Sequence, residues 1–383
     1  MQWKVIRIPI IHILLLGLTL FTTLLAGAEL VSGQSWMTGL SWDGLAQGWA
    51  YSLSFLLFLT SHEFGHYLAA RFHKVRTTLP FYIPLYIPIP GMLNIGSFGA
   101  VIALQEMPDN SRKFFDIGIA GPLAGFVVSL GLLLYGFTHL PDPDTYILKI
   151  HPEYQVMYGG VPDEATLSAH LTAMQSPGLL IGESLLYQGL QTLLVSDPSR
   201  IPPRFEVMHY PFLFVGFLTL FFTALNLLPI GQLDGGHVIY GLLGPDTALQ
   251  VSRGAVVMLL LLGGTGLVYL PATLDWDVGI QAAYLALLIY ASIVVAGRQL
   301  LPGLVLAGVL LGVQVGCRVL FPAIEAHPIW LVYCFMAVRI IRLPHPRTRD
   351  DRPVRGLRAV LGWLAVLIFV LCFTPSPISI IGG

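Results

Sequence analysis

Charge is what this chain has least of. Only 11% of its 383 residues are Asp, Glu, Lys or Arg, against about 25% in an average soluble domain. So few polar groups cannot cover the surface of a soluble fold, and a disordered chain would need far more of them. Both an ordinary cytosolic enzyme and an unfolded protein are excluded. Cysteine is scarce as well: Cys317, Cys334 and Cys372 lie in apolar runs, with no Cys-x-x-Cys spacing. That excludes a disulfide scaffold and leaves three reduced packing residues. Neither sign of charge dominates. A net charge of −1 supplies no field that would draw in nucleic acid, so no nucleic-acid partner is expected. What the chain does hold is apolar: 55% of its residues are hydrophobic and the mean hydropathy is +0.75. The lipid bilayer is therefore its expected solvent, and the fold class expected is an all-α polytopic membrane protein.

A membrane-spanning helix needs about 20 apolar residues. Stretches of that kind lie at roughly 10–32, 47–70, 114–137, 210–229, 253–272, 279–297, 301–321, 326–341 and 357–375, which predicts about nine transmembrane helices. Basic residues orient them. Lys4, Arg7, Arg71, Lys74, Arg76, Arg112, Lys113, Arg253, Arg298 and the arginines of 342–358 all fall on the cytoplasmic side if the N-terminus is cytoplasmic and the C-terminus extracytoplasmic. Lys149, Arg200, Arg204 and Arg318 run against that pattern, but a loop as long as 138–209 translocates regardless of a few charges. Lys4 and Arg7, the following apolar run and Ala26-Gly27-Ala28 also fit a signal peptide. The run exceeds the usual 7–15 residues of such peptides, which favours an uncleaved span. The basic 342–358 loop reads as a topology anchor that touches anionic headgroups.

Two stretches are not simple spans. Residues 138–209 mix polar residues, Pro and Gly and predict a small extracytoplasmic insert of short helices. Residues 79–104 are apolar enough for membrane depth, yet Pro80, Pro84, Pro88 and Pro90 forbid a regular helix, and Gly91, Gly96 and Gly99 weaken one further. Irregular backbone at that depth must be buried in protein or face a wet cavity. A re-entrant element beside a cavity is expected; an interfacial loop on the membrane surface is the alternative.

Chemistry concentrates in the second stretch, which reads Ser61-His62-Glu63-Phe64-Gly65-His66. Each ionisable group costs about 2.5–3.5 kcal/mol at the centre of a membrane helix on insertion scales, so three together point to a task. Four helical residues return His62 and His66 to one face within about 40°, where both imidazoles reach one Zn²⁺. Glu63 is then placed to act on water rather than on the metal. A set of polar side chains bonding neighbouring helices is the plainer alternative. Catalytic zinc takes a third protein ligand and keeps one position open. Asp234, in Asn226-Leu-Leu-Pro229-Ile-Gly-Gln-Leu-Asp234-Gly235-Gly236-His237, is the best donor: Pro229 stops the preceding helix and the glycines allow a sharp turn. A helix N-cap is the alternative role for Asp234. His237 could compete as ligand, or cap or support the site. The remaining histidines, His151, His209 and His345 among them, read as interface or loop residues.

The His62-Glu63-Phe64-Gly65-His66 motif, followed far downstream by Asn226-x-x-Pro229-x-x-x-x-Asp234-Gly235, resembles the site-2 protease family of intramembrane zinc metalloproteases. Gly96-Ser97-Phe98-Gly99-Ala100 and the stretch Phe115–Phe126 resemble the same family, nearest its plastid and cyanobacterial EGY-like branch. The resemblance covers about 47–245 and is loose beyond. It implies one Zn²⁺ per chain held by His62, His66 and Asp234, with Glu63 as general base and acid. Asn226 and Pro229 would shape the site and hold substrate backbone. The 79–104 element would correspond to the family's membrane β-hairpin, with Gly96, Ser97, Phe98 and Gly99 at the edge that pairs with substrate. No PDZ domain fits within 138–209.

The organisation this implies is an N-terminal span and loop (1–46), a first part of the protease core (47–137), the insert (138–209), a second core part (210–250) and C-terminal spans (251–383). The implied partners are lipid and a membrane-protein substrate with a transmembrane helix. A non-proteolytic metal-binding membrane protein, chaperone- or permease-like, is the alternative, and a metal-free scaffold a more distant one. Gly118, Gly121 and Gly125 predict close helix packing through small residues, and Asp116 a helix cap or a contact to a substrate polar group.

Overall fold

The computed structural model describes residues 9–35, 39, 41–89, 93–174, 178–267 and 278–381. Lys4, Arg7, Pro90, Gly91 and the end of the fifth expected span (268–272) lie outside the described residues. In chain order the main elements are α1 (Ile10–Ser32), α2 (Trp49–Phe72), β1 (Phe81–Pro84), β2 (Ser97–Val101), α3 (Ser111–Thr138), α4 (Pro143–Ile150), α5 (Glu153–Tyr158), α6 (Glu164–Met174), β3 (Gly178–Ile181), α7 (Leu185–Leu194), α8 (Pro211–Asn226), α9 (Asp234–Leu243), α10 (Pro245–Gly264), α11 (Val278–Val295), α12 (Leu300–Leu320), α13 (Ile329–Met336), α14 (Leu357–Cys372) and β4 (Ile378–Ile381).

The fold is mainly helical. Among the described residues, four helices have the length and composition to cross a membrane: α1, α3, the segment Pro245–Leu267 and α12. Helix α2 has 24 residues, but Ser61, His62, Glu63 and His66 dilute its apolar character. Helix α8 has 16 residues, about 24 Å at 1.5 Å per residue, short of a hydrocarbon core of about 30 Å. Pro229, three residues on, is the reason it goes no further. The expected span at 326–341 is divided into α13 and a π-helical turn, Ala337–Ile341.

The residues group into two units, one of Met1–Pro108, Ala120–Leu225 and Leu367–Gly383, the other of Asp109–Ile119 and Asn226–Val366. In the first, α1 crosses α2 closely. A Cβ on Gly27 would lie 2.7 Å from Tyr51 Cβ, and one on Gly48 would overlap the Leu24 carbonyl. Thr23 and Ser52 hydroxyls, both buried, meet at 2.7 Å across the crossing. Small residues let the two backbones approach, and the hydroxyls also bond the α1 backbone, Thr23 Oγ1 donating to the Thr19 carbonyl at 2.7 Å and Ser52 Oγ reaching the Leu20 carbonyl at 3.4 Å.

Strands β1 and β2 form an antiparallel hairpin with Phe81 opposite Val101, Tyr82 opposite Ala100 and Pro84 opposite Ser97. The hairpin is tied to the helices at several points. Pro80 O accepts from His12 Nδ1 at 3.0 Å, Gly96 O from Thr22 Oγ1 at 2.7 Å and Ile95 O from Tyr51 OH at 2.8 Å. The Tyr82 and Thr60 hydroxyls meet at 2.8 Å. Gly96 needs to be glycine twice over: its φ is +80°, and a Cβ would overlap the α1 backbone at Thr23. The irregular element expected at 79–104 is thus a hairpin docked on α1 and α2.

The insert contains α4 to α7, as expected, and one strand that was not. β3 pairs antiparallel with β4, Gly178 opposite Ile381 through Ile181 opposite Ile378. Four residues beyond the last expected span therefore return to the insert, a pairing with no local signal in either segment.

In the second unit, α10, α11 and α12 share a buried polar knot. Tyr284 OH donates to Gln314 Oε1 at 2.5 Å, and Gln314 Nε2 donates to the Leu260 carbonyl at 2.9 Å. A Cβ on Gly264 would overlap the Tyr284 hydroxyl, so the knot and the close approach depend on one another. If the α1–α2 crossing is as tight as these contacts indicate, Gly48→Val will destabilise the protein by about 1–3 kcal/mol, read as a lower Tm in detergent. Gly17→Ala on α1, where a Cβ meets nothing within 4 Å, will leave Tm unchanged.

Candidate metal centre

Helix α2 carries His62, Glu63 and His66, all buried. One turn of helix separates the two histidines, and their Nε2 atoms stand 3.1 Å apart with the rings at a steep angle. Two nitrogens each about 2.0–2.1 Å from a tetrahedral zinc would be about 3.3 Å apart. The pair is therefore already near the geometry of two ligands on one ion. Glu63 points off the adjoining side of the same turn and is equally buried, at 7% exposure.

Helix α3 walls this pair with backbone. A Cβ on Gly121 would overlap the His66 ring at Nε2, and one on Gly125 would come within 2.8 Å of Phe58 and 3.3 Å of His62 Nδ1. From the other side, a Cβ on Gly65 would sit 2.5 Å from the Ala120 carbonyl. The glycines expected to serve helix packing do so, and two of them pack on the histidines themselves. A cradle this narrow suits a single small cation.

The second unit holds the downstream motif. Asn226 ends α8, and residues 227–233 form a tight turn. Ser252 Oγ donates to the Pro229 carbonyl at 3.0 Å and accepts from Gly231 N–H at 3.2 Å. Gly231 has φ +50°, and a Cβ there would overlap the Arg342 carbonyl. Gly235 and Gly236 abut the Leu227 and Gly231 carbonyls just as closely. Asp234 opens α9 as its first helical residue, half-buried. The N-cap position belongs to Leu233, and no side chain caps the helix there. Asp234 therefore does not occupy the N-cap position.

The β2 residues divide by direction. Gly96 faces α1. Ser97 is fully buried, and its hydroxyl donates to the Ile83 carbonyl at 2.9 Å while accepting from Gly99 N–H at 3.0 Å. Phe98 is 69% exposed, and a Cβ on Gly99 would meet nothing within 4 Å. The outer part of β2 is open.

One expectation needs correcting. Asp116 is not a helix cap: Asn110 Oδ1 accepts from Lys113 N–H at 2.9 Å and caps α3, while Asp116 takes a two-pronged bond from Arg358 at 2.8 Å on each prong. The basic 342–358 segment is bonded to other parts of its own unit. Val354 N–H bonds the Gly241 carbonyl and Ser111 Oγ the Arg352 carbonyl, and Tyr240 OH bonds Asp351. His345 Nε2 lies 2.7 Å from His237 Nδ1, so His237 is engaged within its own unit. Burial pushes the His345 imidazole down to about 4, so it is neutral at pH 7. No sequence spacing joins 237 to 345; only their residue types hinted at it.

Comparison with known proteins adds the following. The model of peptidase family M50 matches residues 50–263. The probable zinc metalloprotease EGY1, chloroplastic, of Arabidopsis thaliana is 31% identical over 58% of this chain and 34% of its own length. The probable zinc metalloprotease EGY2, chloroplastic, of Oryza sativa subsp. indica is 27% identical over 63% of this chain and 38% of its own length. The DDT domain-containing protein PTM of Arabidopsis thaliana is 30% identical over 49% of this chain but 9% of its own length. The chain thus spans about a third of the length of the two metalloprotease relatives. No solved structure matches.

The contact between Gly121 and His66 makes a direct prediction. Gly121→Ala should weaken metal retention by about 10–100-fold, read as metal content after dialysis. Gly131→Ala on the same helix, where a Cβ meets nothing within 4 Å, should leave retention unchanged.

Proposed function

Because the chain belongs to peptidase family M50, the site-2 protease family that its motifs resemble, we propose that it is an intramembrane zinc metalloendopeptidase. It hydrolyses peptide bonds within or near transmembrane segments of membrane proteins. The observation that carries the reading is the His62–His66 pair on a buried helix, Nε2 to Nε2 3.1 Å, with the Glu63 carboxyl beside it.

The catalytic Zn²⁺, one per chain, is held by His62, His66 and Asp234. Support for Asp234 comes from its position as an uncapping first residue of α9 behind a rigid glycine turn, and from a family match that runs through both motifs. When bound, zinc supplies Lewis acidity, polarising the scissile carbonyl and lowering the pKa of water toward about 7. Glu63 takes the proton of the attacking water as its oxygen adds to the carbonyl carbon. It then returns that proton to the amide nitrogen as the C–N bond breaks, leaving a carboxylic acid and an amine. Burial of Glu63 keeps this proton traffic out of bulk solvent.

A transmembrane helix shields its own backbone by hydrogen bonds, so a substrate must unwind locally before attack. The open side of β2 is suited to receive the unwound strand by β-addition, with Phe98 as an exposed apolar contact and Gly99 leaving room beside it. Asn226 and Pro229 hold substrate backbone near the metal. Nine crossings with a cytoplasmic N-terminus place the site toward the cytoplasm. The β3–β4 pairing supports the insert and the C-terminus sharing the opposite side.

The test uses purified protein with a cleavable transmembrane reporter. Glu63→Gln should retain zinc and lose activity by about a thousandfold or more, the scale of a general base together with the charge it carries. Asp234→Asn should lose activity and the zinc of this centre. Full activity in Glu63→Gln, or zinc retention unaltered in Asp234→Asn, would reject the assigned roles.

A further inference from the structure

We propose that His151, Glu206 and His209 form a second zinc site, structural in role, that clasps the 138–209 insert to the ends of α1 and α8. All three belong to the first unit and none belongs to the centre on α2. His151 terminates α4, and Glu206 and His209 flank the single turn Val207–His209 just before α8. Their side chains are 24%, 2% and 6% exposed.

The ligand atoms converge as the corners of one coordination face. His151 Nε2 and His209 Nε2 are 3.1 Å apart, His209 Nε2 and Glu206 Oε2 3.4 Å, and His151 Nε2 and Glu206 Oε2 3.8 Å. The edge of a zinc tetrahedron is about 3.3 Å.

What lies behind each ligand fixes its tautomer. His209 Nδ1 donates to the Leu30 carbonyl at 2.5 Å, and His151 Nδ1 donates to Glu153 Oε1 at 2.8 Å. In the neutral rings both Nε2 atoms therefore carry lone pairs. Tyr154 OH donates to Glu206 Oε1 at 2.9 Å, which leaves Oε2 turned inward, buried and without a hydrogen bond. Three lone-pair donors facing one another in a dry pocket repel. A proton bridges at most one edge of this triangle and leaves the third donor unmatched. A divalent cation satisfies all three at once. Metal-binding histidines that donate their other nitrogen to a carbonyl or carboxylate are the usual outer arrangement of such sites. Two neutral imidazoles with one carboxylate select a borderline cation, Zn²⁺ foremost, over Ca²⁺ or Mg²⁺, which prefer all-oxygen shells.

The experiment uses untagged full-length protein with the α2 centre disabled by His62→Ala and His66→Ala, loaded with Zn²⁺ and desalted. About one zinc per chain should remain, and adding His151→Ala should weaken its retention by at least about 100-fold. His151 lies at the rim of the cluster, so that variant is the least disruptive to folding. Two measurements avoid it altogether. Co²⁺ in the His62→Ala/His66→Ala protein should give the intense visible bands of a tetrahedral site, and added Zn²⁺ should raise its Tm. A His62→Ala/His66→Ala protein that retains no zinc and shows no Tm response overturns the proposal, as does zinc that persists unchanged after His151→Ala. Wild-type zinc content equal to that of the His62→Ala/His66→Ala protein would leave this site standing and would count against the α2 centre instead.

Discussion

Burying ionisable groups in an apolar helix is the constraint on which the rest of this protein turns. His62, Glu63 and His66 occupy one turn of α2 at 5–7% exposure, where water cannot compensate them and each costs several kcal/mol unless paired or bound to a cation. The neighbouring backbone is shaped to this turn. Gly121 and Gly125 give up side chains so that α3 can lie against the imidazoles, and Gly65 does the same in return. Side-chain bulk is traded for close walls. Between these walls the two Nε2 atoms stand 3.1 Å apart, near the spacing of about 3.3 Å expected of two nitrogens on one tetrahedral zinc.

The hairpin is fixed by the same kind of close contact. Its proline-rich first strand cannot be helix, and its backbone groups are taken by α1 and α2 through Pro80, Ile95 and Gly96. Because those anchors lie on the inner side, the outer part of β2 stays open. In the second unit, a Ser252 hydroxyl and three glycines fold 227–236 so tightly that Asp234 begins a helix without capping it.

Residues outside the family motifs follow similar chemistry. In the insert, His151 and His209 each spend one ring nitrogen on an outer acceptor and turn the other toward Glu206. Strand β4 adds a backbone connection from the C-terminal end to the same insert. The insert is therefore held by long-range contacts rather than by a large apolar core of its own.

Several features were legible in the sequence because they are local. Apolar runs of about 20 residues define helices, four-residue spacing aligns His62 with His66, and prolines rule out helix at 79–104. The motif from Asn226 to Asp234 is also a short-range pattern. Even the Glu206–His209 spacing is a local signal, an i,i+3 pair that could have been noticed. What escaped is whatever joins distant segments: His151 to His209, His237 to His345, Asp116 to Arg358, and Gly178–Ile181 to Ile378–Ile381. Sequence alone determined the solvent, the helical character and the chemistry of the α2 turn, because periodicity and residue type act within a few residues. Only the tertiary structure decided which glycine faces which ring, which carboxylate takes which arginine, and where a second set of lone pairs meets. Those pairings rest on packing between segments tens to hundreds of residues apart, and no spacing along the chain encodes them.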